Sequence, residues 1–224
     1  MKLPQNLKIS VEKTDPDILK RAAEILRAGG VIALPTDTAY AFAANGLDVS
    51  AVERVFALKS RNLEKAFHVI VADVEMGTQF AIFNRAAHAL AQAFLPGALT
   101  LILPRTEIVP DRLVGGLPTL GLRMPAHPYC LELARITGLP LTATSANISG
   151  MPTPYSVETI REQLGERMGE LDLVLDQGEI PYFAPSTLVD AAQLPVRILR
   201  QGPVSQEAIY AALEQAGIPP AAPG

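Results

Sequence analysis

The sequence has few of the residues that build disulfide frameworks and metal centres. It contains a single cysteine, Cys130, so an internal disulfide is impossible, and its three histidines lie far apart. One cysteine and three scattered histidines do not provide the four ligands of a structural zinc site, so none is predicted. No apolar run approaches the roughly 20 residues that span a bilayer, and the N-terminal stretch lacks the apolar segment of a signal peptide. We therefore expect a cytoplasmic protein without a membrane segment.

A strong excess of charge of either sign is also missing. Nineteen Lys and Arg residues against 23 Asp and Glu residues give a net charge of −4, and aromatic residues make up 5% of the chain. Both values argue against a protein that coats nucleic acid, although a local basic pocket stays compatible with them. Hydrophobic residues make up 49% of the 224 positions, which predicts a globular chain with one or at most two domains.

Helical and strand-like segments alternate along the chain. Asp15 can cap a first helix that ends before Gly29 and Gly30, and Ser50 can cap a second one. Further helices are predicted over four ranges: 84–94, 128–137, 156–164 and 205–216. Short apolar runs such as VIALP, ALTLILP, LTATS and DLVLD lie between them and predict strands. The alternation indicates an α/β fold with one large mixed sheet.

The chain shows no sign of division into two units. It has no internal repeat and no linker rich in Pro and Gly, so we expect one domain over residues 8–217. The last seven residues, 218–224, consist mainly of Pro, Ala and Gly, and this composition predicts a disordered tail.

Two polar stretches near the N-terminal half are candidates for ligand contacts. In PTDTAYAFAAN, Thr36 follows a predicted strand and Tyr40 offers an aromatic wall with a polar tip, although such a stretch can equally build an ordinary turn. In LKSRNLEKAF, three cations lie just beyond a predicted helix: Lys59, Arg61 and Lys65. Such a cluster can bind an anion, or it can be a solvated basic face.

The stretch LTATSANISG ends a predicted core strand in a dense group of polar residues. Thr144, Ser145 and Asn147 could donate hydrogen bonds to phosphate or carboxylate oxygens, or the stretch could be a turn before the next helix. Arg123 and Arg200 each follow an apolar run and stand beside Pro or Gly, which favours anion binding over a plain surface charge.

Common catalytic motifs are missing from the sequence. It has no GxxxxGK[ST] loop, no GxGxxG after a strand and no GxSxG elbow, so Ser145 is a poor candidate for a nucleophile. His127 lies near Cys130, but no third residue completes a cysteine hydrolase.

Seven stretches, in this order, resemble the YrdC-like family: GGVIALPTDTAYAFAAN, LKSRNLEKAF, LPGALTLILP, GLRMPAHP, LTATSANISG, PSTLVD and LRQGPVS. They cover about residues 20–205. The best-understood members are threonylcarbamoyl-AMP synthases. The resemblance implies a twisted mixed sheet, flanked by helices, around a deep basic cavity. It also implies that L-threonine, bicarbonate and ATP react with the help of Mg²⁺, and that a tRNA-modifying transferase receives the product.

The resemblance also assigns roles to individual residues. A contact with threonine or a carboxylate is implied for five of them: Thr36, Tyr40, Arg123, Thr144 and Ser145. A contact with the nucleotide is implied for seven: Lys59, Arg61, Lys65, Ser145, Asn147, Ser186 and Arg200. The K-x-R pair, Lys59 and Arg61, is assigned the catalytic role. No protein side chain is expected to bind the metal.

The chain departs from the family pattern at positions that shape the backbone. Ala41 replaces a glycine, and Asn62 and Ala66 replace prolines. Three hypotheses therefore stay open. The chain is a threonylcarbamoyl-AMP synthase, a divergent YciO-type paralogue or carbamoyl-adenylate handler that binds nucleotide, or a weak RNA-binding module without catalysis.

Overall fold

The structure, a computed structural model, describes residues 3–60, 62, 66–181 and 184–219, which form a ten-stranded sheet with flanking helices. The strands are β1 (Gln5–Lys8), β2 (Ile32–Pro35), β3 (Tyr40–Ala43), β4 (His68–Ile70), β5 (Leu99–Pro104), β6 (Thr119–Arg123), β7 (Leu141–Ser145), β8 (Leu173–Asp176), β9 (Thr187–Asp190) and β10 (Arg197–Arg200). Their order across the sheet is β1-β8-β2-β3-β7-β4-β6-β5-β9-β10.

Parallel and antiparallel pairs both occur in this sheet. The pairs β1–β8, β2–β8, β4–β6 and β5–β9 are parallel, whereas β2–β3, β3–β7, β4–β7, β5–β6 and β9–β10 are antiparallel. The predicted mixed α/β fold is therefore confirmed. The β2–β3 pair matches Pro35 with Tyr40, so residues 36–39 form a tight turn at one end of the sheet.

The helices are α1 (Pro16–Arg27), α2 (Val49–Leu58), α3 (Val74–Thr78), α4 (Arg85–Phe94), α5 (Asp111–Val114), α6 (Pro128–Thr137), α7 (Val157–Leu164) and α8 (Gln206–Gln215), with a 3₁₀ helix over Gly165–Glu170. Asp15 caps α1 as predicted, since its carboxylate accepts hydrogen bonds from the amides of Asp17 and Ile18. The prediction that Ser50 caps α2 is wrong. The helix begins two residues earlier than that cap implies, and the Asp48 carboxylate accepts hydrogen bonds from the amides of Ser50 and Ala51.

The hydrophobic core lies along the middle of the sheet. Every residue of β2, β3 and β8 is buried, so other parts of the chain cover both faces of the sheet there. The edge strands β1 and β10 are largely exposed. No helix within the described ranges is long and apolar enough to cross a bilayer. Of the predicted tail, residues 220–224 lie outside the described residues.

Candidate functional site

A polar cavity of about 290 Å³ lies where the ends of several strands meet. The residues that line it come from the β2–β3 turn, from strands β3, β4, β6, β7 and β10, and from the segments before β4, after β7 and before β9. Seven residues predicted from the sequence are among them: Thr36, Tyr40, Arg123, Thr144, Ser145, Ser186 and Arg200. The sheet therefore brings together side chains that are up to 164 positions apart in the sequence.

The turn between β2 and β3 is built by the hydroxyl of Thr36. This hydroxyl donates to the carbonyl of Ala39 (2.7 Å) and accepts from the amides of Thr38 (3.1 Å) and Ala39 (3.2 Å). The structure thus supports the plain-turn interpretation of this hydroxyl. Because Thr36 also lines the cavity, the turn forms part of its wall. A contact of Thr36 with threonine stays a prediction.

Arg123 stands at the end of β6 with its guanidinium held in a fixed orientation. One terminal nitrogen pairs with a carboxylate oxygen of Asp37 at 2.5 Å, and the other donates to the hydroxyl of Thr38 at 3.1 Å. The second oxygen of Asp37 accepts from the amide of Ala126 at 3.0 Å. Both charged side chains are about one-tenth exposed. Arg123 is therefore a preoriented cation at the cavity wall, supported from behind by a buried carboxylate.

Arg200 brings a second positive charge to the same cavity from the edge strand β10. Its Nε and Nη2 atoms donate to the carbonyl of Ser186 at 3.1 and 2.9 Å. Burial lowers the pKa of Arg200 from its ordinary value, and the positive charge of Arg123 lowers it further. The two guanidinium groups therefore repel each other across the cavity, and an anion placed between them would relieve that repulsion.

A glycine allows β10 to approach the start of β9. A Cβ atom at Gly202 would lie 2.3 Å from the carbonyl oxygen of Pro185 and 2.5 Å from the amide nitrogen of Thr187. Both atoms belong to the backbone and cannot swing aside. The hydroxyl of Ser186, in turn, is within 2.8 Å of the Thr100 hydroxyl. The PST and LRQG stretches thus form one packed unit that carries Arg200.

Lys59 is not among the residues that line the cavity, and its buried side chain contacts the loop at residues 145–147. The residue is 2% exposed. Its amine donates to the backbone carbonyls of Ser145 and Asn147 and to the Asn147 side-chain oxygen, the last at 2.9 Å. The amine therefore holds the loop at residues 145–147, and a direct contact of Lys59 with the ligand stays a prediction. Arg61 and Lys65, which were also predicted to bind the ligand, lie outside the described residues.

Tyr40 is fully buried at the start of β3. Its hydroxyl donates to the carbonyl of Gly178 at 2.7 Å and accepts from the amide of Gln177 at 3.1 Å. Burial is the main reason why the pKa of this hydroxyl is raised above its ordinary value. The hydroxyl of Tyr40 therefore holds the loop after β8, and its proton is used in that contact. The residue forms part of the cavity wall.

His68 lines the cavity although the sequence arguments passed over it. It lies on β4 directly opposite Gly121 of β6. A Cβ atom at position 121 would stand 2.3 Å from the Cδ2 atom of the His68 ring. The missing side chain of Gly121 therefore makes room for the imidazole. The sequence does contain a sign of this position: in the predicted strand AFHVIVAD, side chains alternate between the two faces, and His68 shares one face with Ile70.

Gly121→Ala should destabilise the protein by about 1–3 kcal/mol, because the added methyl group forces the His68 ring out of its place. Urea unfolding measures the effect. The double variant Gly121→Ala/His68→Ala should recover most of the loss, since it removes the ring that the methyl group meets. Equal losses in both variants would show that the strain lies elsewhere.

The comparisons with known proteins identify the family of this chain. The Sua5/YciO/YrdC family model, described as telomere recombination, matches residues 24–202. A threonylcarbamoyl-AMP synthase from Pyrococcus abyssi is 37% identical over 207 residues, which are 92% of this chain and 60% of that protein. The chain therefore spans about three-fifths of the length of this curated relative.

Two solved structures share the fold. The crystal structure of P. abyssi Sua5 complexed with L-threonine is 34% identical, with a TM-score of 0.86 over 95% of this chain and 61% of that one. The crystal structure of E. coli YciO is 27% identical, with a TM-score of 0.82 over 92% of this chain and 100% of that one. The match leaves a large part of the first chain uncovered, whereas it covers the whole of the second.

Proposed function

Because the chain belongs to the Sua5/YciO/YrdC family, we propose that it is an enzyme that makes threonylcarbamoyl-AMP and pyrophosphate from L-threonine, bicarbonate and ATP. Such an enzyme is a nucleotidyltransferase. One observation carries the proposal: the guanidinium groups of Arg123 and Arg200 share a cavity with the hydroxyl-bearing residues of the TSAN and PST stretches. A related structure of the same fold, P. abyssi Sua5, is complexed with L-threonine.

The chemistry of this reaction explains why the cavity needs two cations. The amine of threonine adds to the carbon of bicarbonate or CO₂ and gives a carbamate, with loss of water or a proton. An oxygen of the carbamate then forms a bond to the α-phosphorus of ATP, and the bond to the pyrophosphate oxygen breaks. Each step brings anions together, so fixed positive charges lower the barrier by offsetting their repulsion. Arg123 and Arg200 supply such charges, and no covalent intermediate with the enzyme is required.

We further propose that Mg²⁺ enters with ATP. The described polar lining of the cavity offers hydroxyls, an imidazole and guanidinium groups, and no cluster of three His, Cys, Asp or Glu residues occurs among the described residues. The oxygens of the triphosphate would therefore hold the ion, which would supply further positive charge where pyrophosphate leaves. The acyl-adenylate product is reactive, so a tRNA threonylcarbamoyl transferase is the partner that would take it.

The protein should release pyrophosphate from ATP and Mg²⁺ in the presence of bicarbonate only when L-threonine is also present. A coupled pyrophosphate assay measures this, with reactions that omit L-threonine or bicarbonate as controls. Mass spectrometry of the reaction should show threonylcarbamoyl-AMP. If pyrophosphate release is the same without L-threonine, the proposed reaction is wrong.

A second candidate is a YciO-type protein that binds nucleotide without this reaction. Ala41 and the substitutions near Lys59 favour it, and the fold is shared with E. coli YciO. Ala41 lies within the regular strand β3, so the alanine is accommodated there. ATP binding without threonine-dependent turnover would support this candidate. Salt-sensitive binding of a short RNA without nucleotide turnover would instead support an RNA-binding module.

A further inference from the structure

Ser145 lines the cavity, and the proton of its hydroxyl is already used in a hydrogen bond within the protein. The Ser145 Oγ atom lies 2.5 Å from the Oδ1 atom of Asn147. A carboxamide oxygen carries no hydrogen, so Ser145 must be the donor of this bond. The lone pairs of the serine oxygen are then what Ser145 offers to a ligand.

Two further contacts fix which atom of Asn147 is the oxygen. Its Nδ2 atom donates to the carbonyl of Met151 at 2.6 Å, and its Oδ1 atom accepts from the Lys59 amine at 2.9 Å. If the carboxamide were turned over, its nitrogen would face the ammonium group and its oxygen would face a carbonyl, so both bonds would be lost. The amide is thus held in one orientation, and Lys59 is part of the reason.

Breaking the hydrogen bond from Ser145 to Asn147 would cost free energy. The carboxamide oxygen has two lone pairs, one used by Lys59 and the other by Ser145. Asn147 is 7% exposed, so water has little access to replace the serine proton. If Ser145 turned its proton to the cavity, a buried acceptor would lose a partner, which is unfavourable.

We infer that Ser145 recognises its ligand as a hydrogen-bond acceptor, with Asn147 and Lys59 as positioning residues that set this polarity. The group that Ser145 meets carries an N–H or O–H bond. Within the proposed reaction, on which this inference rests, such groups are the ammonium and hydroxyl of L-threonine or the hydroxyls of the adenosine ribose. The oxygens of pyrophosphate act mainly as acceptors and do not fit this position. The inference differs from the sequence-based expectation that Ser145 donates to ligand oxygens.

The variant Ser145→Ala tests the polarity through the binding of three probes: L-threonine, adenosine and inorganic pyrophosphate. Calorimetry should show an affinity at least about tenfold weaker for L-threonine or for adenosine, and a change below about twofold for pyrophosphate. The matched control is Ser149→Ala, in which an exposed serine of the same loop is replaced. It should change none of the three affinities.

Two results would overturn the inference. One is a loss of pyrophosphate affinity as large as the loss for the other probes, since this would make Ser145 a donor to anions. The other is an unchanged affinity for all three probes. These are equilibrium measurements, so they are independent of turnover: absence of threonine-dependent pyrophosphate release would reject the proposed function and leave the binding comparison readable.

A separate binding measurement tests whether Asn147 sets the direction of the Ser145 proton. In Asn147→Ala the serine proton loses its acceptor and becomes available to the cavity. Pyrophosphate should then bind about fivefold more tightly to Asn147→Ala than to the double variant Asn147→Ala/Ser145→Ala, which is the net value of one hydrogen bond. A purely structural effect of Asn147→Ala would be the same in both variants, and equal affinities would contradict the role. If these variants do not fold, the comparison of Ser145→Ala with the unchanged protein decides the inference alone.

Discussion

Arg123→Gln is expected to lower threonine-dependent pyrophosphate release by at least about 100-fold, the effect of removing one fixed donor from a charged transition state. Arg123 is the cation that the structure orients most firmly, because Asp37 and Thr38 both hold its guanidinium. Glutamine keeps part of the side-chain length and loses the charge. Steady-state rates at saturating ATP and L-threonine, together with pyrophosphate affinity, measure the loss.

The same change should also destabilise the fold by about 3–5 kcal/mol, because it leaves the carboxylate of Asp37 buried without its partner. The double variant Arg123→Gln/Asp37→Asn separates the two effects. Asparagine removes the unpaired charge, so thermal stability should recover. Activity should stay low, since the cavity still lacks a cation.

An exposed arginine supplies the matched control. Arg197 lies on β10 near Arg200, pairs with Asp190 and has a side chain that is 59% exposed. Arg197→Gln should change both rate and stability little, as most surface substitutions do. Recovery of full activity in Arg123→Gln/Asp37→Asn would contradict the proposal, because Arg123 would then serve only to balance Asp37.

The fold was predictable where the sequence pattern is strong. The predicted helix over 128–137 coincides with α6, and the predicted strands around VIALP and LTATS correspond to β2 and β7. Four elements were not predicted: β1, the 3₁₀ helix and the two short helices α3 and α5. The two helices have five and four residues, too few for a helical period to show, and β1 is a polar strand at the sheet edge.

Seven residues predicted from the sequence line one cavity, but the geometry of that cavity was not predictable. The polar ends of several predicted strands indicate that Arg123 and Ser145 belong to a ligand-binding edge, but the order of the strands decides which of them meet. That order is set by long-range packing, which a local pattern does not encode. The direction of the Ser145 proton depends on Asn147 and Lys59 together.

Lys59 shows why a local pattern misleads at this site. A lysine at the end of a helix is normally solvated, so the sequence predicts either ligand-binding cations or a basic face for the cluster that Lys59 forms with Arg61. Burial of its amine requires oxygens that come from a loop more than 80 positions away. Nothing near Lys59 in the sequence indicates that this loop lies behind it.

Lys59→Met should destabilise the protein by about 3 kcal/mol and lower its melting temperature by about 6–12 °C. Methionine keeps the apolar stem of the side chain and removes the ammonium group. The carbonyl oxygens of Ser145 and Asn147 would then lose a charged donor in a place that water reaches poorly. The contact of the amine with the Phe42 ring, at 5.8 Å from its centre, would be lost as well.

The exposed Lys20 on α1 provides the matched control, and Lys20→Met should change stability by less than about 0.5 kcal/mol. Urea unfolding of both variants gives the comparison. An opposite result has a definite meaning, because burying an ammonium group is itself unfavourable. If Lys59→Met is as stable as the unchanged protein, the desolvation of the amine cancels its hydrogen bonds. The lysine would then be retained for what it does to the loop at residues 145–147, and its loss should appear in ligand affinity alone.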